Sequence, residues 1–123
     1  MVMHDEALGR SLQVMSALPD SSQADAFTPP IAAPAGPLEL RVEVDFERLY
    51  FAFRAAADGP WTWLPQVFDA SILSDEAAIP GTPNFTGAFV GMACQDTSGS
   101  GHTADFDWFE YRERDYVADV EAA

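Results

Sequence analysis

The sequence predicts an all-β, antiparallel β-sandwich, and three observations carry that expectation. Leu38 to Asp45 alternates apolar and charged side chains with strict period two. Two apolar-rich segments, Asn84 to Asp96 and Ala104 to Glu113, flank the small-residue turn Thr97-Ser98-Gly99-Ser100-Gly101. Elsewhere short apolar runs are punctuated by Pro, Gly, Asn and Asp, with almost no helical period.

In chain order, Ser11 to Ser16 reads as a strand with Leu12 and Val14 on one side. Leu18 to Pro37 is rich in Pro, Ala, Ser and Asp. Pro29, Pro30, Pro34 and Pro37 would interrupt any regular element there, so a long loop over residues 18–37 is expected. Leu38 to Asp45 is the clearest strand, with Leu40, Val42 and Val44 facing a core and Glu39, Arg41 and Glu43 facing water. A turn at Phe46-Glu47 returns the chain through Arg48 to Arg54, a hairpin whose Leu49, Phe51 and Phe53 continue the apolar face. Asp58-Gly59-Pro60 is a turn, Trp61 to Leu64 a short strand closed by Pro65, and Val67-Phe68 another. Ser71 to Ala78 fits a single helical turn capped by Asp69 or Ser71. Pro80 to Asn84 is a rigid loop ahead of the last two strands. Between Phe106 and Tyr111 the aromatics alternate poorly, which calls for a bulge or a strand covered on both faces. The sandwich is expected over residues 1–113, followed by an acidic tail at 114–123.

A chain of 123 residues is long enough for one domain with one core. A net charge of −14 with only six Lys and Arg argues against nucleic acid and against an anionic membrane, because both need clustered cations. No apolar run approaches the ~20 residues that span a bilayer. Neutral sugars are compatible with an acidic surface. Met1 to Glu6 has neither the basic region nor the apolar stretch of a secretory signal, so a cytoplasmic location is expected. Cys94 alone cannot form an internal disulfide or a zinc site, and it is expected to be a buried, inert thiol.

The segments Asn84-Phe85-Thr86-Gly87-Ala88-Phe89-Val90-Gly91-Met92-Ala93-Cys94-Gln95-Asp96 and Ala104-Asp105-Phe106-Asp107-Trp108-Phe109-Glu110-Tyr111-Arg112-Glu113 resemble the end of a known sandwich domain. It is the one that follows the catalytic propeller in β-xylosidases of glycoside hydrolase family 43. His4-Asp5-Glu6 with Leu8-Gly9-Arg10, Leu40 to Asp45, and Phe68 to Glu76 are similar to further segments of that domain, in the same order. The resemblance implies a concanavalin-A-like jelly roll, which this chain is expected to enter part-way, without the domain's first strands. It implies a five-bladed propeller as partner, in the same parent chain or separately encoded, and a xylo- or arabino-oligosaccharide as substrate. It leaves homo-oligomer contacts open. In relatives the propeller holds an Asp general base, a Glu general acid and an Asp that orients the acid, so no residue here inherits a catalytic role. No cofactor or metal is implied. A loop of the sandwich contributes an aromatic side chain to the sugar pocket in relatives, and Phe85, after Pro83-Asn84, is the candidate for it. The function expected is that of an accessory domain, not catalytic alone. The alternative is an independent carbohydrate-binding module or lectin-like domain.

Other candidates are weaker. Trp61 and Trp63 are expected on opposite faces of their strand, one in the core and the other free for domain packing or for stacking on sugar. Asp105 and Asp107 share a strand face near Glu110, but two carboxylates do not define a calcium site, and a solvated face explains them. His4 and His102 lack metal-binding spacing, and Ser98 to His102 does not match the Gly-x-Ser-x-Gly elbow.

Overall fold

The computed structural model describes residues 1–5, 9–16, 26–55, 57–73, 90–97 and 99–113. The chain divides into two compact units, Met1–Ala88 and Phe89–Ala123. All described strands lie in the first unit, and every strand pair is antiparallel. The fold class is all-β, as the alternation and turn signals predict.

The first part of the unit carries β1 (Val2–Asp5), β2 (Gly9–Leu12) and β3 (Met15–Ser16). Leu12 and Val14 are buried at 5% and 9% exposure, but the single strand expected over Ser11 to Ser16 is broken at Gln13 and Val14, which lie between β2 and β3. Two further strands, β4 (Ala26–Phe27) and β5 (Ile31–Ala32), lie inside the segment read as a loop. β5 pairs with Ser11 and Leu12, and β4 with Met15 and Ser16. Thr28 extends the second pairing: its Oγ1 accepts the Val14 amide at 2.9 Å, and its own amide donates to the Val14 carbonyl at 3.0 Å. Arg10 fastens the chain beyond β5, donating to the carbonyls of Pro34 and Gly36. Prolines forbid long strands here, but Pro29 and Pro30 sit between two-residue strands whose partners are remote in sequence.

The longest ladder is the hairpin of β6 (Glu39–Asp45) and β7 (Arg48–Arg54). Asp45 pairs with Arg48, so only Phe46 and Glu47 form the turn. Phe46 adopts φ 55°, the left-handed value that tight two-residue hairpins demand at their first turn position. On its outer side β7 pairs with two short strands, β8 (Thr62–Trp63) and β9 (Phe68–Asp69). Register puts Leu40 opposite Phe53, Val42 opposite Phe51 and Val44 opposite Leu49, which is the expected apolar face. Phe51 meets Phe68 edge-to-face at 5.5 Å.

That face is not the closed core that alternation suggests. Leu40, Val42 and Val44 are 52%, 47% and 56% exposed, while Glu39 and Glu43 on the other side are half-buried. Period two fixes which side chains share a face; it does not say what covers them.

In the second unit, residues 90–97 and 99–113 form no strand, contrary to the two strands expected. Phe106, Trp108 and Phe109 are 51%, 56% and 49% exposed, so neither a bulge nor two-sided cover applies to them. Poor alternation gives this stretch no single face to bury. The turn between its halves does form. The Asp96 carboxylate accepts the amides of Gly99 at 3.1 Å and Gly101 at 2.9 Å, and both glycines have positive φ. Cys94 is exposed, not buried as expected, because the segment holding it lies in no sheet. Asn84 and Phe85, the loop before them from Pro80, and the tail at 114–123 lie outside the described residues.

Candidate functional site

The polar side of the β6–β7–β8 sheet is where charge and aromatic rings converge. Arg41 lies opposite Ala52, and Ala52 opposite Trp63, so the three form one row across the strands. Glu39 and Arg54 face each other in the neighbouring row. Ala52 is small and only 4% exposed, which leaves room above it for the long Arg41 side chain. The Arg41 guanidinium carbon stands 5.3 Å from the Trp61 ring centre and 5.7 Å from that of Trp63. Arg54 stacks on Trp61 more closely, at 4.1 Å. Trp61 therefore carries two guanidiniums, and each such contact stabilises by roughly 0.5–2 kcal/mol depending on desolvation.

Both tryptophans thus lie on one face, which corrects the expectation of opposite faces. Residues i and i+2 of a strand share a side, and the structure follows that rule. Trp61 is half-buried beneath its two cations, whereas Trp63 keeps 44% exposure. Neither belongs to an apolar core.

Carboxylates hold the guanidiniums in place. Arg54 binds Glu39 through Nε at 2.7 Å and Nη2 at 2.6 Å, with side chains only 19% and 17% exposed. Its Nη1 reaches the Gly59 carbonyl at 3.4 Å, tying the turn before Trp61 to the sheet. Arg41 pairs with Glu43 at 2.5 Å, a more exposed contact. Sequence reading missed Arg41 and Arg54. Their signal was available, since both fall on the polar face of a hairpin that abuts a Trp-x-Trp strand.

At the far end of β9, Asp69 caps the 3₁₀ turn Ala70–Leu73, which starts one residue before the helical turn expected over Ser71 to Ala78; residues 74–78 lie outside the described residues. Its Oδ1 accepts the Ser71 hydroxyl at 2.6 Å and the Ser71 amide at 2.9 Å. These two bonds hold the Asp69 carboxyl below the ordinary aspartate range. A depressed folded value stabilises above the unfolded pKa, and that contribution is lost as pH falls through the folded one. Asp69→Asn is therefore expected to flatten the acid limb of the stability–pH curve below about pH 4. Urea midpoints at stepped pH measure this; a limb as steep as that of the unsubstituted chain would refute the cap.

The acidic candidates of the second unit do not assemble a site. Asp105, Asp107 and Glu110 are exposed, and Glu110 pairs with Arg112 at 2.5 Å. Among the described residues no three His, Cys, Asp or Glu side chains gather in a way that could hold a metal.

Residues 1–112 match the family described as "Beta xylosidase C-terminal Concanavalin A-like domain", in glycoside hydrolase family 43. The chain belongs to that family. Its match covers nearly the whole sequence, and the resemblance read from the ordered sequence segments is correct. The "Putative beta-xylosidase" of Escherichia coli K12 is 35% identical over 111 residues, which are 89% of this chain and 20% of that protein. The "Beta-xylosidase" of Bacillus subtilis 168 is 36% identical over 115 residues, 92% of this chain and 21% of that protein. "Xylosidase/arabinosidase 43B" of Humicola insolens is 46% identical over 54 residues, covering 43% and 10% respectively. The C-terminal-domain match thus spans about a fifth of the length of the first two relatives. No solved structure matches it significantly.

Proposed function

We propose that this domain is the accessory β-sandwich of a family 43 β-xylosidase or α-arabinofuranosidase. It packs on a catalytic propeller, helps to shape the xylose or arabinose pocket through Phe85, and does no chemistry alone. The observation that carries the reading is the apolar side of β6, where Leu40, Val42 and Val44 stand about half exposed in one row. Contiguous exposed apolar surface of this kind marks a docking face, and membership of a β-xylosidase C-terminal family supplies the kind of partner. An aromatic ring at Phe85 would pack on the apolar side of a pentose and exclude water from the pocket.

The test adds the purified chain to a propeller-only polypeptide of a family 43 β-xylosidase and follows release of p-nitrophenol from aryl xyloside. The chain alone is expected to release none. In molar excess it raises the propeller's rate, and Phe85→Ala raises KM in the complex by about five- to thirty-fold, the worth of one well-packed ring. Turnover that tracks the chain's own concentration, or no association with the propeller, overturns the proposal.

A further inference from the structure

We propose that the exposed ring of Trp63, with Arg41 beside it and Glu43 paired to Arg41, is a stacking site for one pyranose of a neutral oligosaccharide. The sugar meant is a β-linked xylose chain, an identity that rests on the proposed accessory role in a β-xylosidase. The site itself rests on geometry. Trp61 is half-buried and already carries both Arg41 and Arg54, whereas Trp63 has Arg41 at 5.7 Å and remains 44% exposed. The Arg41 side chain is 42% exposed and that of Glu43, ion-paired to it at 2.5 Å, is 22% exposed, so both reach solvent.

This combination suits a sugar. A pyranose presents C–H bonds on its flat side and hydroxyls around its edge. The indole takes the first, and the hydroxyls need both donors and acceptors, which the Arg41 guanidinium and the Glu43 carboxylate supply. Charge points the same way. The polar face of β6 and β7 carries Arg41, Arg48 and Arg54 against Glu39, Glu43 and Asp45, so it is balanced within a chain of net charge −14. A balanced patch neither attracts nor repels ions, and it favours a neutral ligand over an anionic or cationic one. The ion pair and the cation–π contacts fix the side chains before binding, which lowers the ordering cost of a weak site.

Titration of the full 123-residue chain with xylohexaose, followed by tryptophan fluorescence and amide chemical shifts, tests the proposal. Saturable binding in roughly the millimolar range is expected, with shifts clustered on Trp63, Arg41 and Glu43. Trp63→Ala should weaken it at least about tenfold, and Arg41→Gln should weaken it while leaving the fold intact by circular dichroism. No saturable change in the unsubstituted chain overturns the site, as does a Trp63 signal that responds to a propeller polypeptide and not to sugar. Because no propeller is needed for binding, failure here is separable from failure of the accessory role.

Discussion

Leu12→Ala is expected to destabilise the first unit by about 2–4 kcal/mol, read as a lower urea midpoint at unchanged slope. Leu12 ends β2, the central strand of the β1–β2–β5 sheet, with Val2 opposite on one side and Ile31 on the other. It is 5% exposed, and among the described residues only Leu12, Val14 and Ala52 are buried apolar side chains. Truncation removes three methyl or methylene groups' worth of transfer energy and opens a cavity that flanking strands, tied by their ladders, cannot fully close. Folded domains hold only about 5–15 kcal/mol in reserve, so the loss is a large share. Val2→Ala on the adjacent strand provides the contrast: Val2 is 40% exposed, and its truncation should cost under about 1 kcal/mol. Equal costs at the two positions would refute the burial assigned to Leu12.

The parts of this fold that could be read from sequence are those whose information is local. The hairpin from Glu39 to Arg54 follows from uninterrupted alternation, and a cap at Asp69 or Ser71 from local polar side chains, between which the structure selects Asp69. β4 and β5 escaped because two residues show no period, and their pairing with Met15, Ser16, Ser11 and Leu12 is decided by remote backbone. Cys94 was misjudged for a related reason. An apolar segment becomes a buried strand only when a ladder and a covering layer exist, and neither is written in the segment itself. At the candidate site, the Trp-x-Trp pair was legible as offering one exposed ring, but which of Trp61 and Trp63 it is was not. The Arg41 and Arg54 stacks were not, because they depend on which residues face each other across three strands. The misplacement of Trp61 relative to Trp63 was avoidable, since the two-residue spacing already requires a shared side. Family likeness, by contrast, was carried by ordered segments over nearly the whole chain and needed no geometry.

Ala52→Leu is expected to cost about 2–4 kcal/mol and to change the near-ultraviolet circular dichroism of the tryptophans. Ala52 sits between Arg41 and Trp63 in register, at 4% exposure, in the strand that every other member of this sheet joins. At so buried a position the larger side chain must displace its neighbours. Overpacking alone costs about 1–3 kcal/mol. The added branch also stands where the Arg41 side chain crosses toward the two rings, so it forfeits contacts worth about 0.5–1 kcal/mol each. Ala52→Gly separates these effects, because it leaves the crossing open and adds only the strand penalty of glycine, about 0.5–1 kcal/mol. The glycine variant should therefore keep the tryptophan spectrum and the leucine variant lose it. If both spectra match that of the unsubstituted chain, Arg41 does not lie across Ala52, and the platform built on Trp63 loses the guanidinium that holds it.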